Sequence, residues 1–275
     1  MGDHPWVQIP PPPPEFKQKA NPWVRFLFCA QSVFLHLEWQ VEPSYCGFSL
    51  LAIAPSFVVI NKHPGVGMHD EEGEKGLVSL AREQLGLELY PVHRLDKVTS
   101  GVLLLARDPQ SNRLLSMSFA ERQVEKHYVA LSREKPGKKQ GWIKGDMSRG
   151  RRGTWLLQRS MTNPAITWFE SGSVDGSSLR LFHVMPKTGK THQIRVALKS
   201  IGAPILGDAS YGGEQADRVY LHALALRFVF EGREYCYQAM PEQGALFLLP
   251  AVQQSLVMTG KKCQPQGPDE NINTQ

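Results

Sequence analysis

The chain has 275 residues, of which 41% are hydrophobic and 21% charged, a globular composition that excludes disordered, collagenous and coiled-coil readings over most of its length. Its longest mostly apolar stretch, Phe48 to Ile60, is interrupted by Pro55 and falls short of the roughly 20 residues that a membrane-spanning helix takes, so no membrane partner is expected. The 31 Lys and Arg against 26 Asp and Glu leave a formal charge of +5, too mild to name a partner.

The chain opens with Asp3, His4 and five consecutive prolines, Pro10 to Pro14, and not with the basic start and apolar run of a secretory signal. Four cysteines, Cys29, Cys46, Cys236 and Cys263, form no C-x-x-C pair, which indicates neither a zinc site nor a disulfide framework and predicts a cytoplasmic setting. Residues 1–46 read as a Pro-rich, aromatic-containing segment foreign to the rest. Residues 47–250 read as one domain and residues 251–275 as a polar C-terminal tail. Nothing in the pattern demands more than a monomer.

In chain order, Phe57 to Ile60 reads as a buried strand closed by the turn formers Asn61, Pro64 and Gly65. Leu77, Leu80, Ala81 and Leu85 fall at helical spacing, with Gly86 as a stop. Val102 to Ala106 is a second apolar strand, followed by a helix with Leu114, Leu115, Ser118 and Phe119 along one side. His127 to Leu131 alternates, which puts Tyr128 and Ala130 on one face. Strands are expected at Ala165 to Phe169, Leu179 to Met185 and Tyr220 to Leu226, with a hairpin turning near Gly232. A helix from His192 to Ser200 carries Ile194, Ala197 and Leu198 inward and ends at Gly202. Strands in runs, broken by a few helices, predict an α+β fold with a largely antiparallel mixed sheet.

Three segments carry chemistry. Between Arg133 and Arg159 stand nine basic residues, among them Arg149, Arg151 and Arg152, against Glu134 and Asp146. Such a segment is suited to tracking a phosphate backbone, because each neutralised phosphate releases a condensed counterion; a solvated loop is the alternative. The run His93-Arg94-Leu95-Asp96-Lys97-Val98-Thr99-Ser100-Gly101 is either a turn or a loop that presents Asp96 from a rigid strand as nucleophile or base. The run Lys187-Thr188-Gly189-Lys190-Thr191-His192-Gln193-Ile194-Arg195 resembles the end of a phosphate loop. The loop pattern needs Gly at position 184, where the chain has Val184, so ATPase chemistry is excluded. What remains is a donor-rich helix start suited to an anion. The nine histidines form no H-x-x-x-H or H-E-x-x-H, and metal catalysis has no support.

Taken together, these motifs resemble the RluA family of pseudouridine synthases. The resemblance runs from H-R-L-D-x-x-T-S-G at His93 to Gly101, through K-x-Y-x-A at Lys126 to Ala130, to T-G-x-T-H-Q-I-R at Thr188 to Arg195. It continues with G-x-P-I-x-G-D at Gly202 to Asp208, then Tyr211-Gly212, and Leu221-His222-Ala223. It implies the pseudouridine synthase catalytic fold and the isomerisation of uridine in structured RNA, ribosomal or transfer, without cofactor or metal. It implies that Asp96 is the catalytic carboxylate, that Arg195 pairs with it, and that Tyr128 stacks on the uracil. By the same resemblance Arg94 displaces the nucleotide, and His93, Thr99, Lys190, His192 and Gln193 are expected to contact RNA; the charge of the basic segment adds Arg149, Arg151 and Arg152 as expected phosphate contacts. Where the family commonly shows Asn-Lys-Pro-x-Gly, this chain has Asn61-Lys62-His63-Pro64-Gly65, so a differently shaped first turn is expected. Two other classes compete: a silent RNA-binding or assembly module on the same fold, and a nucleoside hydrolase.

Overall fold

The structure is a computed structural model that describes residues 46–261, with side chains to Val257. Apart from Cys46, the expected N-terminal segment of residues 1–46 lies outside the described residues, as do residues 262–275.

The apolar run at the start of this region is two strands, β1 (Phe48–Ile53) and β2 (Phe57–Lys62), folded back on each other around Pro55. Helix α1 (Leu77–Leu85) follows, and Gly86 ends it in the left-handed conformation at φ 63°. Asp70 holds its start, accepting the Gly76 N–H at 2.7 Å and the Ser79 hydroxyl at 3.0 Å. After the short β3 (Tyr90–Pro91), strand β4 (Ser100–Ala106) leads into helix α2 (Pro109–Ala120). Asp108 caps α2 by accepting the Ser111 N–H at 2.8 Å, and Pro109 occupies the first turn, where its missing N–H costs nothing. Leu115 and Phe119 face inward, whereas Leu114, expected on the same side, is exposed.

The chain continues through β5 (Glu125–Ser132), β6 (Gln140–Gly145), the small pair β7 (Met147–Arg149) and β8 (Trp155–Leu157), β9 (Ala165–Ser173), β10 (Arg180–Pro186), α3 (Gln193–Ser200), β11 (Leu221–Phe230), β12 (Arg233–Gln238) and α4 (Pro250–Lys261). The main sheet runs β1-β2-β4-β11-β5-β10-β9-β6, with β12 beside β11 and β3 beside β4. Among the described pairs only β4 and β11 are parallel. The expected α+β class and the mixed, mostly antiparallel sheet are therefore present.

Strands β2 and β4 are buried along their whole length, which is why they read as continuous apolar runs and not as alternation. Val58, Ile60, Leu103 and Leu105 pack with α1 on one face; Phe57, Val59, Val102 and Leu104 pack with Leu115 of α2 on the other. The third cluster joins Ile194, Ala197 and Leu198 of α3 to Phe169, Phe182 and Val184 of the sheet. One sequence expectation needs correction. The boundary at 250 falls at the head of helix α4, whose Val252 and Leu256 are fully buried in that third cluster, so residues 251–261 are not a tail. The basic segment, read in the sequence either as tracking a phosphate backbone or as a solvated loop, contributes edge strand β6 and the arm β7–β8.

Candidate active site

The site gathers where β4 begins, where α3 begins, and on β5 between them. Gly101 allows the first of these. It lies opposite Ala223 in the parallel pairing of β4 with β11, at φ 119°, and a Cβ there would stand 2.2 Å from the Ala223 oxygen. Only glycine permits that approach. Ser100, just before it, is held by the Arg218 guanidinium at 2.7 Å and by His222 Nδ1 at 2.8 Å.

The loop ahead of β4 is pinned from below by a lysine that the sequence reading did not single out. Lys62, fully buried, donates to the carbonyls of His63, Lys97 and Thr99 at 2.8, 3.2 and 2.8 Å. Burial, with Arg218 adding to it and Asp96 opposing, brings its pKa down to about 7. The turn itself closes through the Thr99 N–H, which donates to the Asp96 carbonyl at 2.9 Å. Because the backbone closes the turn, the Asp96 carboxylate is left to face Arg195, with its oxygen 3.6 Å from Nη1.

Arg195 has a second and closer partner. Its Nε and Nη2 donate to the two oxygens of Asp208 at 2.7 and 2.8 Å, a bidentate pair in which both side chains are buried. Its guanidinium carbon lies 4.9 Å from the centre of the Tyr211 ring. Burial works against the arginine's charge, but the Asp208 bonds and charge, helped by Asp96, outweigh it and raise its pKa. Arg195 is thus fixed by Asp208 and offers its remaining nitrogen to Asp96, whose side chain keeps 20% exposure against 6% for the arginine. The carboxylate that a substrate can reach is the one held on a single side.

Tyr128 on β5 packs between the α1 and α3 clusters. Burial, and after it the charge of Asp96, push its phenol above the ordinary range, so it is neutral at physiological pH. His192 precedes α3 in the left-handed conformation, at φ 56°, and its Nδ1 shares a 2.8 Å hydrogen bond with the Tyr211 hydroxyl. Burial holds this imidazole below its usual pKa, with Asp96 pulling the other way. Arg94 is exposed, and its charge reaches His192.

Three expected RNA-contacting residues are committed elsewhere. His93 stacks on Phe119 at 4.4 Å and accepts the Leu104 N–H at 3.0 Å; burial takes its pKa down to about 3. Thr99 is buried inside the turn. Gln193 accepts from the Thr188 hydroxyl and the Lys190 N–H, and donates to Ile166 and Thr167. The His93 ring and the Gln193 amide order the two loops through these bonds. Lys190 is half-buried beside this network, and Arg149, Arg151 and Arg152 lie on the β7–β8 arm, with Arg149 over the Trp155 ring at 5.9 Å. Asp208 and Tyr211 went unassigned in the sequence, although the requirement that a buried arginine have a carboxylate partner was a signal for the first.

Chemically the site sets one reachable carboxylate against an anchored guanidinium and a neutral phenol. Residues 56–200 match the family model described as RNA pseudouridylate synthase. An uncharacterized RNA pseudouridine synthase of Haemophilus influenzae is 48% identical over 199 residues, covering 71% of this chain and 88% of the relative. A ribosomal large subunit pseudouridine synthase C of Rickettsia bellii is 33% identical, covering 61% of this chain and 59% of its own. The solved human RNA pseudouridylate synthase domain containing 1, 23% identical, superimposes with a TM-score of 0.64 over 85% of this chain and 100% of that one, which speaks for the fold. The chain therefore belongs to the RNA pseudouridylate synthases, of the RluA type, enzymes that isomerise uridine in RNA to pseudouridine.

Proposed function

We propose that Asp96 is the carboxylate that acts on the target nucleotide, as nucleophile or base, while its glycosidic bond is cleaved. The observation that carries this is the 3.6 Å approach of Asp96 to Arg195, an arginine that Asp208 already holds in place. Preorganised charge of this kind needs no rearrangement as the reaction proceeds. Tyr128 stacks on the uracil, and Arg94, exposed at the mouth, takes the space that the nucleotide leaves on flipping out. The reaction breaks the bond from ribose C1′ to N1, turns the base, and forms the bond to C5. C5 gives up a proton and N1 gains one, so the isomerisation is balanced without redox change.

The target is structured RNA, ribosomal or transfer. Extracting a base costs a few kcal/mol, least where it is already unpaired, so a loop uridine is the expected site. Arg149, Arg151 and Arg152 on the β7–β8 arm contact the phosphates. The enzyme works as a monomer in the cytoplasm; among the described residues no helix is long and apolar enough to cross a membrane. The test is Asp96→Asn in the full chain. Pseudouridine at the target site is expected to fall below detection, while RNA affinity and melting temperature stay close to wild type. A variant that still modifies RNA at the wild-type rate removes Asp96 from the chemistry.

A further inference from the structure

Tyr211 is only 2% exposed, so its hydroxyl cannot serve a bound RNA directly, yet it joins three parts of the site. From one side the backbone N–H of Trp155, on β8, donates to its oxygen at 2.9 Å. From another, His192 Nδ1, at the head of α3, shares a 2.8 Å hydrogen bond with the same oxygen. The face of its ring lies under the Arg195 guanidinium at 4.9 Å. The backbone of Tyr211 is held independently of the arm: Lys199 of α3 donates to the Tyr211 carbonyl at 2.9 Å, and the Tyr211 N–H donates to the Asp208 carbonyl at 3.0 Å. A shift of β8 therefore pulls on a phenol whose ring supports the arginine that faces Asp96.

We propose that Tyr211 is a positioning residue that couples the seating of the β7–β8 arm on RNA to the alignment of Arg195, and through it of Asp96. An RNA that engages Arg151 and Arg152 at the tip of the arm sets β8, the phenol and the guanidinium in the reactive arrangement. One that fills the cleft but misses the arm is bound and converted slowly. The inference rests on the reading of the arm as an RNA contact, and it adds discrimination at the chemical step to discrimination in binding.

The test compares saturating single-turnover rates and RNA affinities of four full-length proteins: wild type, Tyr211→Phe, Arg151→Ala with Arg152→Ala, and all three changes together. Phenylalanine keeps the ring beneath Arg195 and deletes both hydrogen bonds. Tyr211→Phe is expected to lower the saturating rate roughly tenfold or more, since small misplacements of reacting groups cost rates of that order, with affinity changed little. In the wild-type background the arm substitutions are expected to lower affinity and saturating rate together; in the Tyr211→Phe background they lower affinity alone. Rate losses that simply multiply across the cycle overturn the proposal. Because the arm variant leaves Tyr211 intact, it decides the matter even if Tyr211→Phe folds poorly: an unchanged saturating rate means the arm only binds. Unchanged affinity in that variant overturns the arm reading itself, an outcome separate from activity surviving in Asp96→Asn.

Discussion

At the scale of single residues, the loop that carries Asp96 is held by a buried lysine. Lys62 holds the carbonyls of Lys97 and Thr99, two residues of the turn that begins at Asp96. Lys62→Met keeps the volume and removes all three bonds; the Lys97 carbonyl keeps the Gly65 N–H at 2.8 Å, and the other two carbonyls are left unpaired at about 1–3 kcal/mol apiece. Denaturant titration is expected to show a loss on the order of 3 kcal/mol, and a loss below 1 kcal/mol contradicts the pinning role. The pH dependence has a definite sign. With a folded pKa of about 7 against 10.5 in the free side chain, the unfolded chain holds more protons between those values, so this group's contribution to stability rises with pH across that window. Lys62→Met lacks that rise, and the gap between the two stability curves widens from pH 7 towards pH 10. The sequence made Asp96, Arg195 and Tyr128 visible because each stands in a motif. Lys62 also stood in view, but its role comes from three carbonyls brought together by folding, and no spacing encodes that.

At the scale of elements, legibility followed burial. Strands β2 and β4, helix α1 with its Gly86 stop, and helix α3 all carry enough core residues at one period to be recognised. Strand β6 and the arm do not: Ile143 is the one apolar β6 residue that is fully buried, set among Gly, Lys and an exposed Trp142. Helix α4 gives a weak signal because, among its described side chains, Val252 and Leu256 are the fully buried pair, four residues apart among Gln and Ser, with Ala251 partly buried beside them. That pair still matters, since two fully buried aliphatic side chains are worth about 1.5–3 kcal/mol each. A chain ending at Leu249 is expected to lose about 3–6 kcal/mol and to melt well below the full chain. A chain ending at Lys261 should melt within a few degrees of the full chain, and equal melting of the two shortened chains rules out a packing role for α4.

At the scale of the molecule, the mild overall charge conceals a division of labour. The segment from Arg133 to Arg159 carries nine basic residues and two acidic ones, so the remainder of the chain is slightly acidic. The fold arranges this segment as the outer strand β6 and the arm tied to Tyr211, while Asp96, Tyr128 and Arg195 sit on the loop before β4, on the interior strand β5 and on α3. On the proposed reading, attraction to the RNA backbone falls to the arm and chemistry on the nucleotide to the cleft, with Tyr211 as the link between them. Each cation that neutralises a phosphate contributes about 0.7 to 0.9 to the slope of log affinity against log salt. Replacing Arg149, Arg151 and Arg152 by Ala should therefore flatten that slope by about 2 to 3 and weaken binding most at low salt. Arg149 lies over Trp155 and not at the tip, so its share should be the smallest of the three. Fluorescence titration of a labelled target RNA at five or six salt concentrations measures the slope, and a line parallel to wild type would place the phosphate contacts elsewhere on the surface. Asp96→Asn in the same titration should run parallel to wild type, because the role proposed for that side chain is on the target nucleoside and not on a phosphate.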